Sequence, residues 1–266
     1  MEDLLIKNGT VIDGSGGERF IADVSVKDGV ITGVGSNLGR ASRTIEAGGL
    51  LVTPGFVDVH THYDGQVTWD PYLTPSTFHG VTTAIFGNCG VGFAPVRKND
   101  ISYLINLMEG VEDIPGSVLS EGVQFNWESF PEYLDVLSSS SKAIDIGAQV
   151  PHGPLRFYVM GERGADHTAT PSEAEIKSMG LLLEEALDAG ALGFTTSRTT
   201  KHLSRDGQNT PSLSAGNIEM RGLAEAMKRA GKGIIEVNSD FGPGEFEIMR
   251  VVSEISGRPL SILLLQ

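Results

Sequence analysis

Hydrophobic and polar positions follow one pattern up to about residue 54 and a different pattern after it. The first part contains short runs in which apolar and polar residues alternate, as is typical of half-buried β-strands. These runs predict strands at 3–12, 20–26 and 30–35. An Asp28-Gly29 pair joins two of them, and this pair between strand patterns indicates a hairpin. We therefore expect a small antiparallel sheet here, without catalytic groups.

From residue 55 onward, apolar runs alternate with helix-like segments, which indicates βα units and a parallel sheet. We expect six strands, at 56–60, 81–87, 143–149, 191–196, 233–239 and 259–265. A long excursion, 88–142, separates the second strand from the third. Excursions of this length after a strand commonly shape a substrate site. The predicted domains are residues 1–54 and 55–266.

Helix-start and helix-stop signals lie between these strands. The stretch 170–173 (TPSE) combines an N-cap residue, a proline at the first helical position and a capping-box glutamate, for a helix that ends near Gly190. Further helices are expected at 100–110, 130–138, 217–230 and 244–256.

The strongest chemical signal is a pair of histidines, His60 and His62, at the end of the first of the six strands. Side chains on a strand alternate between faces, so both histidines and Asp58 would point the same way. A buried-looking apolar run, which includes Phe56, precedes them. The plain alternative is a pair of core histidines with hydrogen-bond partners. We favour metal ligation, because active sites of α/β barrels lie at the carboxyl ends of the strands.

Cys89 is the single cysteine, and it follows the second strand. A free cysteine is most often a small buried apolar residue. Its position next to the end of the first strand favours metal ligation, because a thiolate is a good zinc ligand.

Three stretches of the chain resemble the amidohydrolase superfamily and, within it, the N-acyl-D-amino-acid deacylase (D-aminoacylase) family. They read GGLLVTPGFVDVHTHYDGQVTWDP, GVTTAIFGNCGVGFAPV and VPHGPLRFYVMGERGADH, and the resemblance runs from about residue 3 to Gln266. It implies an α/β fold, a (β/α)8 TIM-like barrel preceded by an N-terminal β-sandwich portion at 1–54. Since a closed barrel needs eight strands and six are visible, we expect an incomplete barrel. The chain would be a piece of a longer enzyme, or a second polypeptide would supply the rest.

The resemblance also implies a reaction and a cofactor. One or two divalent metal ions, with Zn²⁺ expected, would assist hydrolysis of a linear amide C–N bond in a small N-acyl amino acid, giving a carboxylate and a D-amino acid. The family uses a cysteine at the position of Cys89 as a zinc ligand. Its catalytic aspartate, the general base, is expected beyond residue 266.

Two alternatives to a deacylase stay open. A cyclic-amide hydrolase of the dihydroorotase or hydantoinase type would carry a lysine for carboxylation at the end of the fourth strand, where this chain has Thr195, Thr196 and Ser197. A scaffold that keeps the fold without catalysis is the other alternative.

The chain departs from the family at the ends of the fifth and sixth strands, where metal-binding histidines are expected. Glu236 and Asn238 stand at the fifth, and Leu264-Leu265-Gln266 ends the sixth. Glu236 is a candidate ligand or ligand-orienting group, with an internal salt bridge as the alternative.

The remaining candidates are polar residues near strand ends. His152 and Arg198 are candidate substrate-binding residues, with loop stabilisation as the alternative for His152. We expect a structural role for His79 and surface positions for His167 and His202, with a functional role slightly more favoured for His202 because a strand end precedes it.

Composition narrows the choice of partners and compartment. A net charge of −14 and a pI near 4.8 argue against nucleic-acid or anionic membrane partners. One cysteine excludes an intrachain disulfide, and the N-terminus lacks a secretory pattern, so a cytoplasmic protein is expected. The expected partners are the small-molecule substrate and either a complementing C-terminal chain or a homo-oligomer.

Overall fold

The computed structural model describes residues 1–263 and divides into two compact units, Met1–Phe56 and a larger unit that begins at Val57. The first unit is one five-stranded sheet in the order β3-β2-β1-β4, with β5 also on β1. Its strands are β1 (Glu2–Val11), β2 (Phe20–Lys27), β3 (Val30–Gly35), β4 (Ala41–Glu46) and β5 (Leu51–Val52). The predicted hairpin joins β2 to β3, with Asp28 and Gly29 at φ of 50° and 76°.

The sheet of the first unit is mixed, which the sequence did not predict. β1 pairs antiparallel with β2 but parallel with β4 and β5. The β4 segment, ASRTIE, is mostly polar and exposed, so it carries no hydrophobic signal. Its stabilisation comes from backbone pairing with β1. The β-sandwich portion stays a prediction.

The second unit alternates strands with helices, as predicted, and is of the α/β class. Its strands are β6 (Phe56–Asp58), β7 (Val81–Phe86), β8 (Asp145–Ala148), β9 (Val150–Pro151), β10 (Gly193–Arg198), β11 (Ile234–Ser239) and β12 (Leu260–Leu263). They form two sheets, in the orders β6-β7-β8 and β9-β10-β11-β12. The pairs β7–β8, β9–β10, β10–β11 and β11–β12 are parallel. All six predicted strands overlap observed ones; residues 264 and 265 of the sixth lie outside the described residues.

Eight α-helices are described, and they cover the strands of the second unit. They are α1 (Ile101–Glu112), α2 (Gly116–Gly122), α3 (Phe130–Ser138), α4 (His152–Met160), α5 (Glu162–Ala165), α6 (Glu173–Ala189), α7 (Asn217–Ala230) and α8 (Glu245–Ser256). Within residues 1–263, none combines the length and the apolar character that a bilayer-crossing helix needs.

The start of α6 differs from the predicted cap. Its N-cap is Ser172, whose hydroxyl accepts from the Glu175 N–H, while the Glu175 carboxylate accepts from the Ser172 N–H at 2.7 Å. Expecting the cap at Thr170 was wrong by two residues, because Ser172 with Glu175 forms the complete capping box.

The first strand of the second unit is shorter and more exposed than predicted. β6 ends at Asp58, and the Asp58 carboxylate accepts a hydrogen bond from the His60 N–H at 3.3 Å. Phe56, Val57 and Val59 are 62%, 57% and 64% exposed, so the expectation of a buried run was wrong. Apolar residues tend to be buried, but the described residues leave more than half of each of these side chains exposed.

Candidate metal centre

His60, His62 and Cys89 meet in the second unit, as the sequence predicted for a metal site. Cys89 Sγ lies 3.3 Å from His60 Nε2, and the two imidazole centroids are 5.3 Å apart. One ligand atom from each of the three residues lies within 4.8 Å of the other two. The histidines follow β6 instead of belonging to it, yet their side chains converge.

A tight turn after β7 places Cys89 against β10. Cys89 has φ of 54°, and a side chain at Gly90 would lie 2.7 Å from the Ser197 nitrogen. A side chain at Gly87 would lie 2.2 Å from the Gln149 carbonyl oxygen. The two glycines therefore allow the backbone to pass close to neighbouring strands and aim Cys89 at the histidines.

Glu236 and Asn238, two residues apart on β11, project into the same cluster. Glu236 Oε2 accepts from the Cys89 N–H at 3.0 Å, and Glu236 Oε1 lies 4.0 Å from His60 Nδ1. Asn238 Nδ2 donates to Cys89 Sγ at 3.6 Å and to His202 Nε2 at 3.2 Å. In residues 1–263 no lysine or arginine pairs with Glu236, so its contacts favour ligation or ligand orientation over an internal salt bridge.

Two residues of the cluster were missed by sequence reasoning, Glu112 and His202. Glu112, the last residue of α1, places Oε2 3.1 Å from His62 Nε2. His202 was expected at the surface; that was wrong, because its ring nitrogens contact Ser197 Oγ and Asn238. Ligand atoms of Cys89, Glu112 and His202 also lie within 4.8 Å of one another. The one sequence signal was that His202 follows a strand end closely.

Burial shifts the charge states throughout the cluster. It lowers the pKa of His60, and it lowers the pKa of His62 to about 3 and that of His202 to about 4, each with smaller effects from neighbouring charges. It raises the pKa of Glu112 to about 8, with further repulsion from Asp64 and Glu236.

The other acidic groups shift in the same direction. Burial raises the pKa of Asp64 and of Glu236 to about 7 each, and it raises the pKa of the Cys89 thiol, an effect that Glu236 reinforces. Within residues 1–263, no lysine or arginine forms an ion pair with Asp64, Glu112 or Glu236. The cluster therefore concentrates acidic groups that would be stabilised by a cation.

The donor set fits a divalent transition metal. Imidazole nitrogen, thiolate sulfur and carboxylate oxygen are the ligands that zinc takes in proteins. Several buried polar atoms of the cluster have no partner among the described residues, namely His62 Nδ1, Glu236 Oε1 and Asn238 Oδ1. Buried polar atoms without partners are uncommon and indicate a missing ion or water.

The predicted substrate-binding residues, His152 and Arg198, do not join this cluster. His152 is fully buried and contacts Thr196 Oγ1 at 2.9 Å and Glu219 Oε1 at 3.1 Å. Arg198 forms a bidentate ion pair with Glu245, in which Nε donates to Oε2 at 2.6 Å and Nη2 donates to Oε1 at 2.8 Å. These contacts join α4 to β10 and α7, and β10 to α8. A substrate role for either residue stays a prediction.

The last two histidines lie apart from the cluster. His79 is exposed at the end of a short 3-10 helix, Ser76–His79. His167 is partly exposed and bonds Ser214 Oγ at 2.9 Å.

A strand-end cluster of histidine, cysteine and carboxylate in an α/β fold is what the resemblance implied, and comparison with known proteins confirms the class. The model of the amidohydrolase family matches residues 43–266, so the chain belongs to the amidohydrolase family.

More particular similarities are to deacylases of D-amino acids. The chain is 35% identical over 195 residues to a D-aminoacylase of Alcaligenes xylosoxydans xylosoxydans, covering 73% of this chain and 37% of the relative. A D-aminoacylase structure described by its binuclear metal centre superposes with a TM-score of 0.77 at 28% identity, covering 98% of this chain and 51% of that one. An N-acyl-D-glutamate deacylase from Bordetella bronchiseptica, complexed with zinc and a phosphonate inhibitor, gives 0.73 at 28% identity, covering 97% and 50%. The chain thus spans about a third to a half of the length of these relatives.

Proposed function

We propose that this chain provides a metal site for hydrolysis of the amide C–N bond in N-acyl-D-amino acids, releasing a carboxylate and a D-amino acid. The observation that carries the proposal is the convergence of His60, His62 and Cys89, whose ligand atoms lie within 4.8 Å of one another. The similar D-aminoacylase and N-acyl-D-glutamate deacylase structures support the substrate class.

The proposed architecture is six βα units of a (β/α)8 barrel. Parallel pairing along β9-β10-β11-β12 and between β7 and β8 supports it, as does the superposition on the deacylase structures. In such a barrel the carboxyl ends of the strands form the active-site face. His60 and His62 follow β6, Cys89 follows β7 and His202 follows β10, whereas Glu236 and Asn238 lie on β11.

The proposed metal ligands are His60, His62 and Cys89, with Glu236 as ligand or orienting group. A bound Zn²⁺ ion would polarise the amide carbonyl and lower the pKa of a water molecule. Glu236 holds the Cys89 backbone through its N–H, and Asn238 donates to Cys89 Sγ, which stabilises a thiolate. The general base expected for the family is not assigned to residues 1–266.

The end of β10 weighs against a cyclic-amide hydrolase that uses a carboxylated lysine. Thr195, Thr196 and Ser197 are fully buried there, and Thr195 Oγ1 donates to the Gly87 carbonyl oxygen at 2.5 Å. Short hydroxyl side chains fill the position, and a lysine would not fit without displacing the turn that carries Cys89.

The test pairs metal content with turnover. Protein purified without chelator is assayed for release of free amino acid from N-acetyl-D-amino acids, with the L-enantiomers as a substrate control. The double variant His60→Ala, His62→Ala should contain less zinc and lose activity by more than about 100-fold. Its circular dichroism should match that of the parent.

His79→Ala is the matched control, because this histidine is exposed and outside the cluster. It should keep the metal content and rate of the parent. Unchanged zinc in the double variant would contradict the site. Zinc without turnover on either enantiomer, in protein that also contains the barrel strands and general base expected beyond residue 266, would contradict the reaction and favour a scaffold that binds metal.

A further inference from the structure

The proposed metal ligands lie on two separate segments of the chain. His60 and His62 belong to the histidine segment, 60–64, and Cys89 belongs to the cysteine segment, 89–93. A metal site holds its ligands to within about 0.5 Å of the binding geometry. A site that draws ligands from both segments therefore needs a fixed distance between them.

Trp127 and Tyr133, in the long excursion after β7, donate hydrogen bonds to the backbone of these two segments. Tyr133 Oη donates to the Asp64 carbonyl oxygen of the histidine segment at 2.8 Å. Trp127 Nε1 donates to the Phe93 carbonyl oxygen of the cysteine segment, also at 2.8 Å. We propose that Trp127 and Tyr133 are positioning residues, which fix the distance between the two segments. The proposal rests on the proposed function only in that both segments supply ligands to one ion.

The two positioning residues form one packed unit with the cysteine segment. The ring centroids of Trp127 and Tyr133 lie 4.8 Å apart. The Phe125 ring lies 5.4 Å from that of Trp127 and 5.5 Å from that of Phe93. Trp127, Tyr133 and Phe93 are buried, so no bulk water replaces a lost partner there. Opening either hydrogen bond leaves buried polar groups unpaired, which opposes a change in the distance between the segments.

Both donors stand on backbone that is itself held in place. Tyr133 lies on α3, which begins with a complete capping box at Ser129. Next to Trp127, the Glu128 carbonyl oxygen accepts a hydrogen bond from the Val96 N–H at 2.8 Å. The excursion thus folds back onto the chain just beyond the cysteine segment, and this contact fixes the donors relative to it.

The histidine segment and its neighbour Gly65 pack closely against the cysteine segment at two glycines. A side chain at Gly92 would lie 2.9 Å from Asp64 Oδ1. A side chain at Gly65 would lie 3.2 Å from a ring carbon of Phe93. Close-packed interiors transmit small displacements, so a shift of either segment at its hydrogen bond to the excursion is passed to the other.

The first test measures the affinity for zinc. Tyr133→Phe and Trp127→Phe each remove one donor and keep an aromatic ring. Each should raise the zinc Kd about 10-fold, as measured by competition with a chromophoric chelator. The double variant should bind about as weakly as the weaker single variant, because opening either bond already frees the distance between the segments. A core role alone would change the free energy of unfolding and leave the zinc Kd as in the parent.

Tyr158→Phe is the matched control. It removes a tyrosine hydroxyl that donates to Glu128 Oε1 at 2.8 Å and contacts neither segment. Its zinc Kd should equal that of the parent. Equal weakening in this variant and in Tyr133→Phe would overturn the proposal.

A second readout needs no metal. Cys89 is the single cysteine and is buried, so its reaction with a thiol reagent in the presence of chelator reports opening around the cysteine segment. Tyr133→Phe and Trp127→Phe should react several-fold faster than the parent, at a rate that low urea leaves unchanged, because local opening exposes little surface. A rate that rises with urea as steeply as global unfolding would show a loss of stability alone and overturn the proposal.

The outcomes separate this proposal from the proposed function. If the parent binds zinc and the two variants match its Kd, the positioning role is wrong and the metal site stands. If the parent binds no zinc, the proposed function fails and the thiol reaction alone decides. Faster reaction through local opening then supports the positioning role, and the rate of the parent in both variants overturns it.

Discussion

Two clusters of the second unit, one buried and one partly buried, each bring histidine and glutamate together, but they balance charge differently. The arginine cluster is His152, Arg156 and Glu219; the metal-site cluster is His60, His62, Cys89, Glu112, His202 and Glu236. Arg156 is 0% exposed and donates to Glu219 Oε1 at 3.0 Å and to the Pro211 carbonyl oxygen at 2.7 Å. The arginine cluster thus contains its own cation.

The opposite pKa shifts of Glu219, which is buried, and Glu112, which is half-buried, express this difference. Burial alone would raise the pKa of Glu219, but His152 and Arg156 hold it below its usual value. Burial raises the pKa of Glu112 to about 8, and the neighbouring carboxylates add to the shift. Glu219 has a cation beside it, whereas Glu112 pairs with no lysine or arginine within residues 1–263, so a bound cation would favour its charged form.

Removing the internal cation should have the largest effect on stability. Arg156→Met leaves Glu219 as an uncompensated buried charge and several carbonyl groups unpaired, so we expect a loss of about 3–5 kcal/mol in the free energy of unfolding. Urea denaturation measures it. If this variant does not fold, Arg156→Lys can be measured instead. Lysine keeps the positive charge but lacks the planar guanidinium group, so the free energy of unfolding should fall by less.

Arg205→Met is the matched control for that experiment. Arg205 is exposed and pairs with Glu109 at 3.3 Å, so its replacement should change stability by less than about 0.5 kcal/mol. Equal effects of the two methionine variants would remove the distinction between the clusters.

The pH dependence of the metal-free protein should show a smaller effect. The folded pKa of Glu112, about 8, lies above its ordinary value, so its stabilising contribution is complete below about pH 4.5 and is lost as pH rises through about 8. Between about pH 7 and about pH 9, the parent should lose about 1 kcal/mol more than Glu112→Gln.

The range from about pH 7 to about pH 9 lies above the pH at which the histidines of the cluster affect stability. The lowered pKa values of His62 and His202 reduce stability only as pH falls through about 6.5, where the unfolded chain takes up protons. Denaturation in chelator across the pH range measures the difference. Parallel curves for the parent and Glu112→Gln would show that Glu112 is not held protonated.

The parts of the cluster that the sequence predicted are those tied to strand ends. His60, His62 and Cys89 follow adjacent strands, and parallel strands bring such residues together. Glu236 lies on a strand as well, so its face could be inferred from alternation.

Glu112 and His202 could not be located in this way, because they lie in irregular connections. The position of α1 depends on how the long excursion packs, for example through the hydrogen bond from Tyr133 to the Asp64 carbonyl oxygen at 2.8 Å. Such contacts between distant segments leave no periodic signal. Strand positions and the α/β class followed from local patterns, whereas the second half of the donor set depended on tertiary packing.

The most direct test of the central claim is the zinc-induced change in the free energy of unfolding, compared between the parent and Cys89→Ala. Cys89 is one of the three proposed ligands, and its ligand atom lies within 4.8 Å of those of His60 and His62. At about 100 times the dissociation constant, zinc should stabilise the parent by about 2.7 kcal/mol and Cys89→Ala by close to nothing. Equal stabilisation of both proteins, or none in the parent, would contradict the assignment of this cluster as a metal site.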